Sequence, residues 1–90
     1  MPARPVVTLY TRPGCPLCDE AASFLRRLAP RLGFDLQTVD IETDDTLLRR
    51  YMFEIPVVVV GEREVAKAPI YAAVLEEALA EALAGEAQSR

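Results

Sequence analysis

Ninety residues leave room for one small hydrophobic core, so a single domain over residues 1–90 is expected. Of these residues 51% are apolar and 27% charged, a balance that supports a folded chain and excludes a disordered one. The formal charge of −4 offers no overall cationic surface for nucleic acid or anionic lipid, so neither is an expected partner. Met1 to Pro5 lacks the apolar stretch of a secretion signal, and no run reaches the roughly 20 apolar residues of a membrane span. The cytoplasm is therefore the expected compartment. The absence of His removes imidazole bases and His metal ligands, which leaves sulfur, carboxylate and backbone to carry any chemistry.

In chain order, Val6-Val7-Thr8-Leu9-Tyr10 is β-branched and aromatic without alternation, as in a central strand covered on both faces. Thr11 to Gly14 breaks it. Leu17, Ala21, Phe24, Leu25, Leu28 and Leu32 then share one helical face, with Cys15 at the N-cap, Pro16 at the first helical position and Gly33 as the stop. Pro30 is expected to kink or end the last turn. Phe34 to Ile41 reads as a second strand whose apolar positions change phase between Leu36 and Val39, the mark of a bulge or an early end. Thr43 with Asp44 and Asp45 gives a capped, acid-first start for a short helix buried through Leu47, Leu48 and Tyr51. Met52 stands where a left-handed Gly would commonly end such a helix, at a cost of about 1 kcal/mol if that geometry is kept.

Pro56 opens Val57-Val58-Val59-Val60, a fully apolar strand suited to a buried sheet position, and Gly61-Glu62-Arg63 turns into an edge strand at Glu64 to Lys67. Pro69 is expected to start a last helix with Val74, Leu75, Ala78, Leu79, Ala82 and Leu83 on its buried stripe and Glu76, Glu77 and Glu81 toward solvent. Glu86 to Arg90 should fray. The order is βαβαββα, an α/β fold with a four-stranded mixed sheet flanked by three helices.

Cys15-Pro16-Leu17-Cys18, after a strand and at the head of a helix, is the one constellation with specific chemistry. Helical geometry puts the two Cα atoms about 5 Å apart, within reach of a disulfide. A loop that short restricts the unfolded chain little, so stapling is a poor use for the pair. Helix N–H groups and Arg12 favour a thiolate at Cys15 and lower its pKa from the free-thiol value of about 8.5, against a smaller opposing effect of Asp19 and Glu20. Cys15 at the cap is then the attacking thiol and Cys18, one turn in, the resolving thiol.

Thr11-Arg12-Pro13-Gly14-Cys15-Pro16-Leu17-Cys18 resembles the active-site motif of glutaredoxins, and the element order resembles their thioredoxin-like fold over about residues 5–84. More narrowly the chain is similar to small bacterial glutaredoxin-like proteins. Leu17 stands in place of the tyrosine usual in that family, and Arg12 in place of a lysine. Ile55-Pro56 falls where the family has a residue followed by a cis-proline facing the active cysteine. The resemblance implies that Pro56 is cis and that the Ile55 backbone pairs with an extended peptide or glutathione. Ala66-Lys67-Ala68-Pro69-Ile70 departs from the family, which there places a Gly-Gly pair and an acidic residue to grip glutathione.

A glutaredoxin-like dithiol–disulfide oxidoreductase and electron-transfer protein is thus expected, with Cys15 and Cys18 catalytic and Arg12, Pro16, Leu17, Ile55 and Pro56 binding substrate. Its substrates would be disulfide-containing proteins or small thiols, and its electron donor a reductase or a low-molecular-weight thiol such as glutathione. No tightly bound cofactor or metal is expected, and the protein is expected to be a monomer. The alternative is a non-catalytic redox-sensing module, or a metal or Fe–S module whose remaining ligands come from outside, since tetrahedral zinc wants four donors and this pair supplies two. Arg26, Arg27 and Arg31 lie on the outer face of the first long helix, as a solvated surface or a docking patch for an acidic partner. Residues 1–33 carry +3 and residues 34–90 carry −7.

Overall fold

A computed structural model describes residues 4–88. Its elements are strand β1 (Val6–Thr11), helix α1 (Pro16–Leu32), strand β2 (Asp35–Asp40), a 3-10 turn (Ile41–Thr43), helix α2 (Asp45–Tyr51), strands β3 (Val57–Val60) and β4 (Arg63–Lys67), and helix α3 (Ala72–Gln88). The sheet order is β2-β1-β3-β4, with β1 parallel to β2 and antiparallel to β3, and β3 antiparallel to β4. This is the expected four-stranded mixed sheet with three helices.

Strand alternation sends side chains to opposite faces and so divides the interior in two. Val7, Leu9, Val58 and Val60 meet Leu25 and Leu28 of α1 and Leu75, Leu79 and Ala82 of α3 in the main core. Val57 and Val59 point the other way, onto Ile41 and Tyr51. Every residue of β3 is buried, which is why its sequence is an unbroken apolar run rather than an alternating one.

Local signals place α1. Gly33 ends it in a left-handed conformation at φ 79°, and its N–H bonds the Ala29 carbonyl. The helix passes through Pro30 instead of stopping there. Pro30 and Arg26, whose carbonyl would have been its partner, are both exposed, so water can serve that carbonyl.

Several expectations are corrected. The β1–β2 register runs unbroken from Val6↔Asp35 to Thr11↔Asp40, and Ile41 leaves the strand for the 3-10 turn, so β2 ends early without a bulge. The irregularity lies instead between Val58 and Val59 against β4. Asp44, not Thr43, caps α2, its carboxylate accepting from the N–H groups of Thr46 and Leu47. Met52 keeps right-handed helical geometry at φ −56°, so the left-handed strain does not arise. Helix α3 starts at Ala72 rather than Pro69, and Leu75 N–H donates to the Tyr71 carbonyl in its first turn. Ile70 in the connecting segment packs on the main core. Leu75, Leu79, Ala82 and Leu83 form the buried stripe, whereas Val74, rotated about 100° from Leu75, is 62% exposed. Glu76 pairs with Arg31 at 3.0 Å across α1 and α3. The expected fraying of Glu86 to Arg90 falls partly outside the described residues, and α3 persists to Gln88. No helix among the described residues is long and apolar enough to cross a membrane.

Candidate functional site

The end of β1 delivers the chain into a turn at Thr11–Gly14, where Gly14 has φ 74°, and the turn delivers it into α1. Cys15 is the N-cap residue with extended backbone at φ −109° and ψ 99°, and Pro16 begins the helix, where a missing N–H is not needed. The Cys18 N–H donates to Cys15 Sγ at 3.2 Å, a contact a serine or aspartate oxygen makes at an ordinary N-cap. The two cysteines are joined as a disulfide with Cα atoms 5.2 Å apart. Cys15 is partly exposed, whereas Cys18 is 1% exposed. The two sulfurs thus differ in access although they share a turn.

The geometry favours charge on one of them. A sulfur in the N-cap position faces the unpaired N–H groups of the first turn and the positive end of the helix, so negative charge there is stabilised. Asp19 and Glu20 are exposed and well hydrated, which weakens their opposition.

Arg12 is not a free cation. Its guanidinium donates to Glu42 Oε2 at 2.8 Å, tying the turn before Cys15 to the 3-10 turn after β2. Lys67 is likewise paired, lying 3.7 Å from Glu54. Ile55 is half-buried against Ile41, Tyr51, Val57 and Val59, and the Ile55–Pro56 peptide is cis, as is Ala68–Pro69. The Ala68 N–H donates to the Pro56 carbonyl at 3.0 Å, so the start of β3 is held against the end of β4.

Leu17 and Pro56, far apart in sequence, line one cavity of about 210 Å³ together with Glu20, Ala21, Phe24, Ala68, Pro69, Ile70 and Tyr71. Leu17, between the two cysteines, is 59% exposed, an apolar side chain presented to solvent beside the sulfurs. Sequence reasoning missed Glu42, Phe24 and Tyr71 as parts of this region. Their signals were weak: Glu42 reads as one acid in an acidic stretch, Phe24 as core, and Tyr71 as the start of a helix. Phe53, 91% exposed in the α2–β3 connection, was also unmarked. Among the described residues no group of three or more Cys, Asp and Glu side chains is gathered as a metal would require.

A cap-position cysteine paired with a buried one, at the head of the helix after the central strand of a βαβαββα sheet, defines a thioredoxin-like redox site. The glutaredoxin-like domain family (DUF836) matches residues 6–84, and the chain belongs to that family. An uncharacterized protein of Mycobacterium tuberculosis is 36% identical over 67 residues, covering 69% of each chain, and a Mycobacterium bovis protein matches equally. Among solved structures, a protein from X. campestris superposes with a TM-score of 0.70 at 31% identity, covering 81% of this chain and 93% of the other. A Nitrosomonas europaea protein does so with a TM-score of 0.71 at 25% identity, covering 86% and 93%. Thioredoxin 1 of Thermosipho africanus, at 14% identity and a TM-score of 0.60 over 94% of this chain and 99% of its own, shares the fold.

Proposed function

We propose that the protein is a cytoplasmic, monomeric dithiol–disulfide oxidoreductase that reduces disulfides of proteins or small thiols. The observation that carries this reading is the unequal placement of the two sulfurs, Cys15 at the accessible N-cap and Cys18 buried one turn in. In the reduced protein the Cys15 thiolate attacks one sulfur of a substrate disulfide. A mixed disulfide forms and the first substrate thiolate leaves and takes up a proton. The Cys18 thiolate then attacks Cys15 Sγ, the second substrate thiolate leaves, and the Cys15–Cys18 bond closes. Two electrons pass from protein to substrate, and a reductase or two equivalents of a thiol such as glutathione return them.

The remaining residues have supporting roles. Pro16 shortens the set of N–H groups around the sulfur, and the exposed Leu17 offers apolar surface beside it, whereas Pro56 is fully buried and shapes the floor of the cavity that Leu17 lines. The Ile55 N–H donates to the Tyr51 carbonyl at 3.1 Å, so an extended substrate strand pairs there through the Ile55 carbonyl, and Arg12, when released from Glu42, binds a substrate carboxylate. Residues 66–70 hold Lys67, itself paired with Glu54, where the family places an acidic residue, which makes this a poorer glutathione grip than the family's usual one. A metal-binding reading would have to draw two or more ligands from outside the chain.

The test is direct mixing of reduced protein with a neutral small disulfide such as bis(2-hydroxyethyl) disulfide. Stoichiometric closure of the Cys15–Cys18 bond with release of substrate thiol is expected. A reduced protein that leaves that disulfide intact contradicts the proposal.

A further inference from the structure

Leu17, Glu20, Ala21, Phe24, Arg27 and Arg31 follow one another at helical spacing and so form a single stripe along α1. The first four line the cavity of about 210 Å³ beside Pro56, and the last two line a second cavity of about 370 Å³ against Ala72, Ala73 and Glu76 of α3. Phe24 lines both cavities, so they adjoin along α1 as one groove, whose near end is lined by Leu17, the residue between the two cysteines. From Leu17 to Arg31 the helix rises about 21 Å, the span of about six residues of extended chain.

The chemistry of the groove changes along its length. Near the sulfurs it is apolar, with Leu17, Ile70 and the 64% exposed Tyr71, and Glu20 is the one charge lining it. At the far end two guanidiniums, Arg27 and Arg31, face the single carboxylate of Glu76, which pairs with Arg31 at 3.0 Å. The Arg27 guanidinium lies over the Phe24 ring, 5.4 Å from its centroid. Stacking holds it in place while leaving its edge donors available to a carboxylate.

We infer that this groove is the docking surface for a protein substrate that presents its cysteine in an extended segment, with an apolar side chain beside that cysteine and a carboxylate about five residues away, opposite Arg27. The placement of the partner's cysteine rests on the disulfide-exchange reading above. The groove and its charge pattern do not.

The test therefore measures affinity apart from turnover. A fluorescent peptide carrying serine in place of the reacting cysteine, leucine next to it and glutamates about five residues on is titrated with the protein, beside a twin carrying lysines at the glutamate positions. The glutamate peptide should bind about fivefold more tightly. Arg27→Glu should reverse the preference, Arg27→Lys should keep most of it, and Tyr71→Ser should weaken both peptides alike. Equal affinity for the two peptides, a preference untouched by Arg27→Glu, or no binding of either overturns the inference. Failure of the exchange reading would show separately, as inertness toward bis(2-hydroxyethyl) disulfide with the peptide preference intact.

Discussion

The Arg12 guanidinium and the Glu42 carboxylate meet at 2.8 Å, bridging the turn that leads to Cys15 and the turn that follows β2. Both side chains are about two-fifths exposed, so the pair adds little to stability, and its consequence falls on recognition. A substrate carboxylate must compete with Glu42 for Arg12. In Glu42→Gln the ratio of reduction rates for oxidised glutathione over bis(2-hydroxyethyl) disulfide should rise about threefold, a modest surface-charge effect. An unchanged ratio would show that Arg12 does not receive the substrate anion.

The two cysteines should fail in different ways. Cys15→Ser is expected to abolish disulfide reduction, because the accessible sulfur is gone. Cys18→Ser is expected to accumulate a mixed disulfide on Cys15, visible as an adduct by mass spectrometry and removable with reductant. Full activity in Cys15→Ser would reverse the assignment of roles.

Burial separates neighbouring apolar positions on the helices. Leu25 is fully buried between the sheet and α3, so Leu25→Ala should cost about 3 kcal/mol in urea unfolding. Val74→Ala, on the solvent side of α3, should change stability by about 0.5 kcal/mol or less. Similar costs at the two sites would contradict the packing.

How much of this was legible in the sequence follows the range of the interactions. Cys15, Pro16 and Gly33 obey rules that act within one helical turn, so both ends of α1 could be read directly. The four valines of β3 declared burial on both faces by lacking alternation. Pro69 could not be placed, because a proline suits the loop before a helix as well as its first turn, and only the packing of Ile70 on the core decides. Glu42 stands thirty residues from Arg12 and looked like one more solvated acid. Phe24 matched the apolar period of α1, and the sequence did not tell that α3 leaves part of it open to a groove.

Alkaline pH should expose the second core. The Tyr51 hydroxyl is held above its ordinary pKa of 10.0, first by burial, with Tyr10, Glu64 and Glu54 adding to it and Arg50 opposing. A raised folded-state value means that the unfolded chain loses its proton first. The stability is therefore complete below pH 10 and falls as the pH rises through and beyond it. Urea unfolding across that range should show a decline that is shallower in Tyr51→Phe. An identical decline in the variant would assign the effect to other groups.

The unequal poise of the two sulfurs is tested most directly by the alkylation rate of each cysteine in the reduced protein across pH, resolved by peptide mass spectrometry. Cys15 should react well below the pH at which a free thiol does, and Cys18 should remain slow. Two cysteines that both react like free thiols, or that both stay protected until the chain unfolds, would contradict the redox role proposed for the pair.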